Sequence, residues 1–159
     1  KRFIFKMFSL LFLSFVTFLI VATEVKSPDM KIFIIYSLLV SISSDMGGMI
    51  IGKTLKGKKL TKVSPNKTVS GSIGALIFSL ILVPFFYQNF SNHSIGILII
   101  ITFLISLTSQ IGDLFISLIK RKARVKDTSD LLPGHGGFLD RIDGILFAIP
   151  IGFLLFNLF

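Results

Sequence analysis

The chain has 159 residues, a formal net charge of +9 and 52% hydrophobic residues, with 18 Phe and a mean hydropathy of +0.85. That length suits one domain, and so much apolar surface in long runs excludes an ordinary soluble fold and predicts a membrane protein. Lys and Arg gather in short loops between the apolar runs, which argues against nucleic acid as a partner, and with no Cys there is neither disulfide nor thiolate metal site.

In chain order, residues 7–22 are apolar with basic flanks and predict a first membrane helix, retained rather than cleaved as a signal. Residues 23–31 read as a turn around Pro28. A second span follows at about 32–51 and carries Asp45. Residues 52–71 form a loop with six Lys and no acid. A third span is expected at about 72–87. The loop at 88–94 has neither Lys nor Arg, so its His93 reads as a solvated loop residue. A fourth span starts near Ile95 and runs toward Ile119, and a fifth covers about 142–159. Five helices with the N-terminus inside put every basic loop on one side, the cytoplasmic one. The expected fold is therefore an all-α polytopic bundle with the site at the cytoplasmic helix ends, since lipid requires every backbone group to be satisfied within a helix.

Residues 112–143 are the only long polar stretch in this apolar chain. Asp113 closes one span, while Asp140 and Asp143, three apart, stand where another begins. Three carboxylates brought together from two helix ends repel one another unless a cation sits among them, and all-oxygen ligation suits Mg²⁺ or another hard ion. Lys120, Arg121, Lys126 and Arg141 surround these acids with charge suited to phosphate, and Gly134, Gly136 and Gly137 let backbone N–H groups approach it closely. Such a set of parts suits phosphoryl or nucleotidyl transfer. Plainer readings stand beside this one: a topology signal for Lys122 and Arg124, an interfacial ion pair for Asp140 and Arg141, a brace of the turn for His135. Asp45 and Asp113 inside spans are also what an ion-coupled transporter would carry.

As one string, Ser117, Lys120-Arg121, Lys126-Asp127, Pro133-Gly134-His135-Gly136-Gly137 and Asp140-Arg141-Ile142-Asp143 resemble the signature of the phosphatidate cytidylyltransferase family, with every fixed position filled over 27 residues. Ser44-Asp45 with Gly48 and Gly52-Lys53, and Ser64-Pro65-Asn66-Lys67-Thr68 with Gly71, resemble two upstream blocks of that family. Ser70 departs from it, standing where the family usually has Glu. The resemblance covers about residues 41–159 and implies the C-terminal catalytic part of such an enzyme, or a short member. It implies CTP and phosphatidate as substrates, CDP-diacylglycerol and pyrophosphate as products, and Mg²⁺, with a second cation as an option, on Asp113, Asp140 and Asp143. It implies phosphate contacts from Lys67, Lys120, Arg121, Lys126 and Arg141, and orientation or proton handling by His135. Asp45, Ser64, Asp127, Gly136 and Gly137 complete the expected substrate-binding set. Membrane lipids, a bacterial inner-membrane location and a homodimer are further expectations. The rival expectations are a catalytically impaired relative and the transporter.

Overall fold

The computed structural model describes residues 28–61, 64–90, 93–125 and 142–158, so the first expected span lies outside the described residues. α1, Pro28–Leu55, opens on a residue that has no N–H to leave unpaired and ends with Lys53 in its last turn, where a cation meets the negative end of the helix dipole. It runs further than the expected span at both ends: residues 28–31, expected as part of a turn, are its first turn, with Pro28 suited to the first helical position, and the basic last turn continues it beyond the apolar run. Lys56 then takes a left-handed φ of 42° and turns the chain out of the helix.

Residues 56–61 and 64–68 fold back on each other as a small hairpin. Lys59 and Thr68 form an antiparallel bridge, Leu60 N donates to the Lys67 carbonyl at 2.8 Å, and Val69 N to the Lys58 carbonyl at 2.9 Å. Thr68 then caps α2, Val69–Leu80, by accepting from Gly71 N at 3.1 Å. α2 breaks at Ile81 and resumes as α3, Leu82–Phe86, followed by a 3-10 turn at Tyr87–Phe90. Pro84 accounts for the break: it lacks the N–H that would bond the Leu80 carbonyl, and its ring crowds that oxygen.

α4, Ile95–Lys122, is capped by the Ser94 hydroxyl, which accepts from Ile97 N at 3.4 Å. It stops in a Schellman turn. Arg124, at φ 59°, donates to the Arg121 carbonyl at 3.0 Å, and Val125 N to the Lys120 carbonyl at 3.1 Å. α5, Ile145–Leu158, has 14 residues and carries Pro150 inside it. Three stretches, Lys31–Leu55, Val69–Phe90 and Ile95–Lys122, are long and apolar enough to cross a membrane, and α5 is a shorter apolar helix. The protein is thus an integral membrane helix bundle, and no strand occurs among the described residues. Its exposed Ile73, Ile77, Ile81 and Phe85 recur every four residues and suit a face turned to lipid.

Packing relies on small residues, as expected where apolar side chains gain nothing by leaving lipid. A Cβ on Gly47 would lie 2.5 Å from Phe78 Cβ and 2.6 Å from the Gly74 carbonyl, so α1 and α2 touch backbone to backbone. Hydroxyl pairs join α1 to α4: Tyr36 to Thr102 at 2.5 Å, Ser41 to Ser109 at 2.7 Å, and Ser44 to Ser106 at 3.0 Å. Tyr36 beside Thr102 at one end and Asp45 near Asp113 at the other show that the two helices run parallel, with the two serine pairs crossing between them. α2 and α5 run against them, since Gly52 meets Gly71 and Gly47 meets Gly74, while Gly144 meets Ser109 and Gly152 meets Ile105. Leu55, Val69, Lys122 and Ile145 therefore share one end of the bundle.

The opposite end is closed by aromatic rings. Phe33 stacks on Phe156 at 4.3 Å and on Phe90 at 5.2 Å, and Tyr36 meets Phe90 edge-on at 5.1 Å. His93 belongs to this cluster, edge-on to Phe33 at 6.1 Å and to Phe156 at 6.0 Å, with Nδ1 buried. The expectation of a solvated loop residue is corrected here. Rings from α1 and α5 cover an imidazole that local sequence places in a polar loop.

Candidate functional site

At the end where the basic loops lie, a cavity of about 330 Å³ opens between α1, α2, α4 and the hairpin. Helical spacing explains its walls. Asp45, Gly48, Met49 and Gly52 form one face of α1, Gly71, Ser72 and Ala75 one face of α2, and Gln110, Asp113 and Leu114 one face of α4. The hairpin adds Asn66, Lys67 and Thr68, and Lys53 stands at the last turn of α1. Asp45 is exposed on this wall and interacts electrostatically with Asp113, Lys67 and Asp143.

Two ion pairs organise the charge. The Lys67 ammonium bonds the Asp113 carboxylate, with both side chains about one-third exposed. The hairpin makes this possible by pinning Lys67 on both sides of its peptide unit: its N–H donates to the Ser64 carbonyl at 3.1 Å and its carbonyl accepts from Leu60. The second pair is Lys120 with Asp143, Nζ to Oδ2 at 2.8 Å, and the Asp143 side chain is only 3% exposed. Asp143 stands in the turn before α5. The next residue, Gly144, packs so tightly that an added Cβ would lie 2.5 Å from Ser109 Oγ, which draws the carboxylate into the bundle. Burying either charge of this pair uncompensated would cost roughly several kcal/mol, and their contact offsets part of that cost.

Of the expected site residues, the structure brings Asp45, Lys67 and Asp113 onto one cavity and joins Lys120 to Asp143. Arg121 is exposed on the last turn of α4. Ser64 lies in the hairpin turn rather than on the cavity wall. Lys126, Asp127, His135, Gly136, Gly137, Asp140 and Arg141 lie outside the described residues. Among the described residues no group of three or more His, Cys, Asp or Glu side chains gathers closely enough to hold a metal ion. The donors present are oxygens of the kind a hard cation takes, and each carboxylate of Asp113 and Asp143 already faces an ammonium group. In chemistry the donor set fits such an ion, with Asp140 outside the described residues.

Sequence reasoning did not assign Lys53, Asn66 or Gln110 to the site. Gln110 had a signal, an amide inside an apolar helix; Asn66 sits inside the Ser-Pro-Asn-Lys-Thr block already singled out. Ser70 has a definite role: its hydroxyl accepts from Gly57 N at 3.2 Å and bonds Thr68 Oγ1 at 3.1 Å, tying the start of the hairpin to its end.

A membrane bundle with a charged cavity at one end of its helices is the class of protein defined so far. The whole chain, residues 1–159, matches the model of the cytidylyltransferase family, and the chain belongs to that family. A phosphatidate cytidylyltransferase of Staphylococcus haemolyticus (strain JCSC1435) is 44% identical over 122 residues, 75% of this chain and 46% of its own length. A phosphatidate cytidylyltransferase of Bacillus subtilis (strain 168) is 42% identical over 130 residues, 80% of this chain and 48% of its own length. The chain thus spans about half the length of the curated relatives it matches.

Proposed function

We propose that this chain carries out the reaction for which those relatives are named, the transfer of a cytidylyl group from CTP to phosphatidate. The observation that carries the reading is the pair of Lys–Asp contacts beside a cavity at a membrane-helix end, in a chain of the cytidylyltransferase family. A phosphate oxygen of phosphatidate attacks the α-phosphorus of CTP. The bond from that phosphorus to the bridging oxygen breaks, and pyrophosphate leaves with the electron pair. The attacking oxygen is already anionic, so no protein nucleophile is required. Lys67, Lys53, Lys120 and Arg121 supply positive charge to the phosphates, and the hairpin holds Lys67 in place before substrate arrives.

Asp113 and Asp143, with Asp140, would hold Mg²⁺. Once bound, it would neutralise charge on the phosphate oxygens. The site faces the cytoplasm of a bacterial inner membrane in this reading, because the basic loops share its end of the bundle. A homodimer belongs to the same proposal, and the mass of the detergent-solubilised particle checks it. Two arrangements support an active rather than an impaired member: Ser70 holds the hairpin closed, and the hairpin in turn presents Lys67 to Asp113.

The test is conversion of labelled CTP and phosphatidate into labelled lipid by the purified chain, with and without Mg²⁺. Turnover that needs both substrates is the expected result. Ion flux in liposomes without any turnover would replace this reading with the transporter.

A further inference from the structure

Gln110 lies one turn of α4 deeper than Asp113 on the cavity wall. Its Oε1 accepts a hydrogen bond from the Ser72 hydroxyl of α2, while its Nε2 is buried and meets no protein partner among the described residues. The amide is therefore oriented. Its acceptor is used by Ser72, and a donor is what remains. The same cavity of about 330 Å³ is lined by Gly48, Gly71 and Ala75, which take up little of its room.

We propose that Gln110, held by Ser72, is a specificity-determining residue that selects cytosine over uracil in the nucleotide. This rests on the reading of the cavity as a cytidylyltransferase site. A donor-only amide meets an acceptor at N3 and O2 of cytosine, but at N3 of uracil it meets another N–H. Sites that pair a buried polar group with one substrate reject the analogue that leaves the group unpaired. The position along the helix agrees. About 4.5 Å of helix rise separates Gln110 from Asp113, which lets the base sit deep while the phosphates stay near Lys67.

The experiment measures binding of CTP and UTP to the full chain in lipid nanodiscs, together with kcat and KM for both nucleotides. The variants are Gln110→Glu, which replaces the donor by an acceptor, and Ser72→Ala, which frees the amide to rotate without touching Gln110. Both are expected to lower the preference for CTP over UTP at least tenfold, about 1.4 kcal/mol, through KM rather than kcat. Folding of each is checked by its melting temperature, and Ser72→Ala carries the test if Gln110→Glu does not fold. An unchanged preference in a folded variant overturns the proposal, as does a changed KM for phosphatidate alone, which would place the amide on a lipid carbonyl. A wild-type chain that binds CTP no better than UTP overturns it as well. Selective binding without turnover, lost in the variants, would leave it standing while removing the catalytic reading.

Discussion

At the scale of single residues, the two ion pairs make different demands. Lys67 and Asp113 are partly exposed, so their contact contributes little to folding, and in the proposed reading they act on substrate. Lys67→Ala and Asp113→Asn are each expected to reduce turnover of labelled CTP by about 100-fold or more, with melting temperatures near that of wild type. The Asp143 side chain is buried and that of Lys120 only 13% exposed, and removing either takes a close opposite charge from the other. Asp143→Asn or Lys120→Met alone should destabilise the bundle by about 3–5 kcal/mol, with the double replacement less damaging than either single one. Thermal melts of the three variants in one detergent check this ordering. Equal melting in all three would show that the pair is not buried as described.

At the scale of elements, close approach of helices rather than hydrophobic drive sets the packing, and glycines differ sharply in what they tolerate. An added methyl on Gly47 would strike the Gly74 carbonyl, whereas on Gly48 the nearest atoms lie at 3.5 and 3.6 Å. Gly47→Ala is therefore expected to cost about 1–3 kcal/mol. Gly48→Ala should be neutral or slightly stabilising, because Ala favours the helix by about 1 kcal/mol over Gly. Among the described residues, three of the five expected spans were readable from apolar length alone, and the last expected span is the shorter helix α5. What was not readable came from tertiary contacts and from backbone chemistry. The loop expected from residue 52 is still helix to Leu55, because a basic final turn suits the helix dipole. The break at Ile81 follows from Pro84 acting back on Leu80, within a run that composition presents as continuous. His93 could not be placed because its neighbours, Phe33 and Phe156, lie at opposite ends of the described chain. In the same way Lys67 and Asp113 were each singled out, but their pairing across 46 residues required the hairpin to exist.

For the whole molecule, the parallel course of α1 and α4 brings Asp45 and Asp113 to one end, as the alternation of basic loops implied. The absence of Cys from the chain makes this topology directly testable. Lys58→Cys, in the hairpin, should react with a membrane-impermeant thiol reagent only when the cytoplasmic face is open. Gln88→Cys, at the aromatic end, should react only from the other side. Labelling of both from one side would sink the topology and the placement of the site with it.

The hydroxyl pairs between α1 and α4 also act as a vernier. Each such bond within a membrane is weak, about 0.6 kcal/mol on average, and three of them would not hold two helices together. They do define height. Tyr36 meets Thr102, while Ser41 leans up to Ser109 and Ser44 leans down to Ser106, so the crossed pairs resist sliding in either direction. Sliding α4 by one turn, about 5.4 Å, would part Tyr36 from Thr102 and lengthen one or other serine pair, whichever the direction. It would also carry Asp113 out of reach of Lys67. An otherwise greasy contact, free to slip at small cost, is graduated by serine and threonine, and the level of the charged site within the membrane is read off that scale.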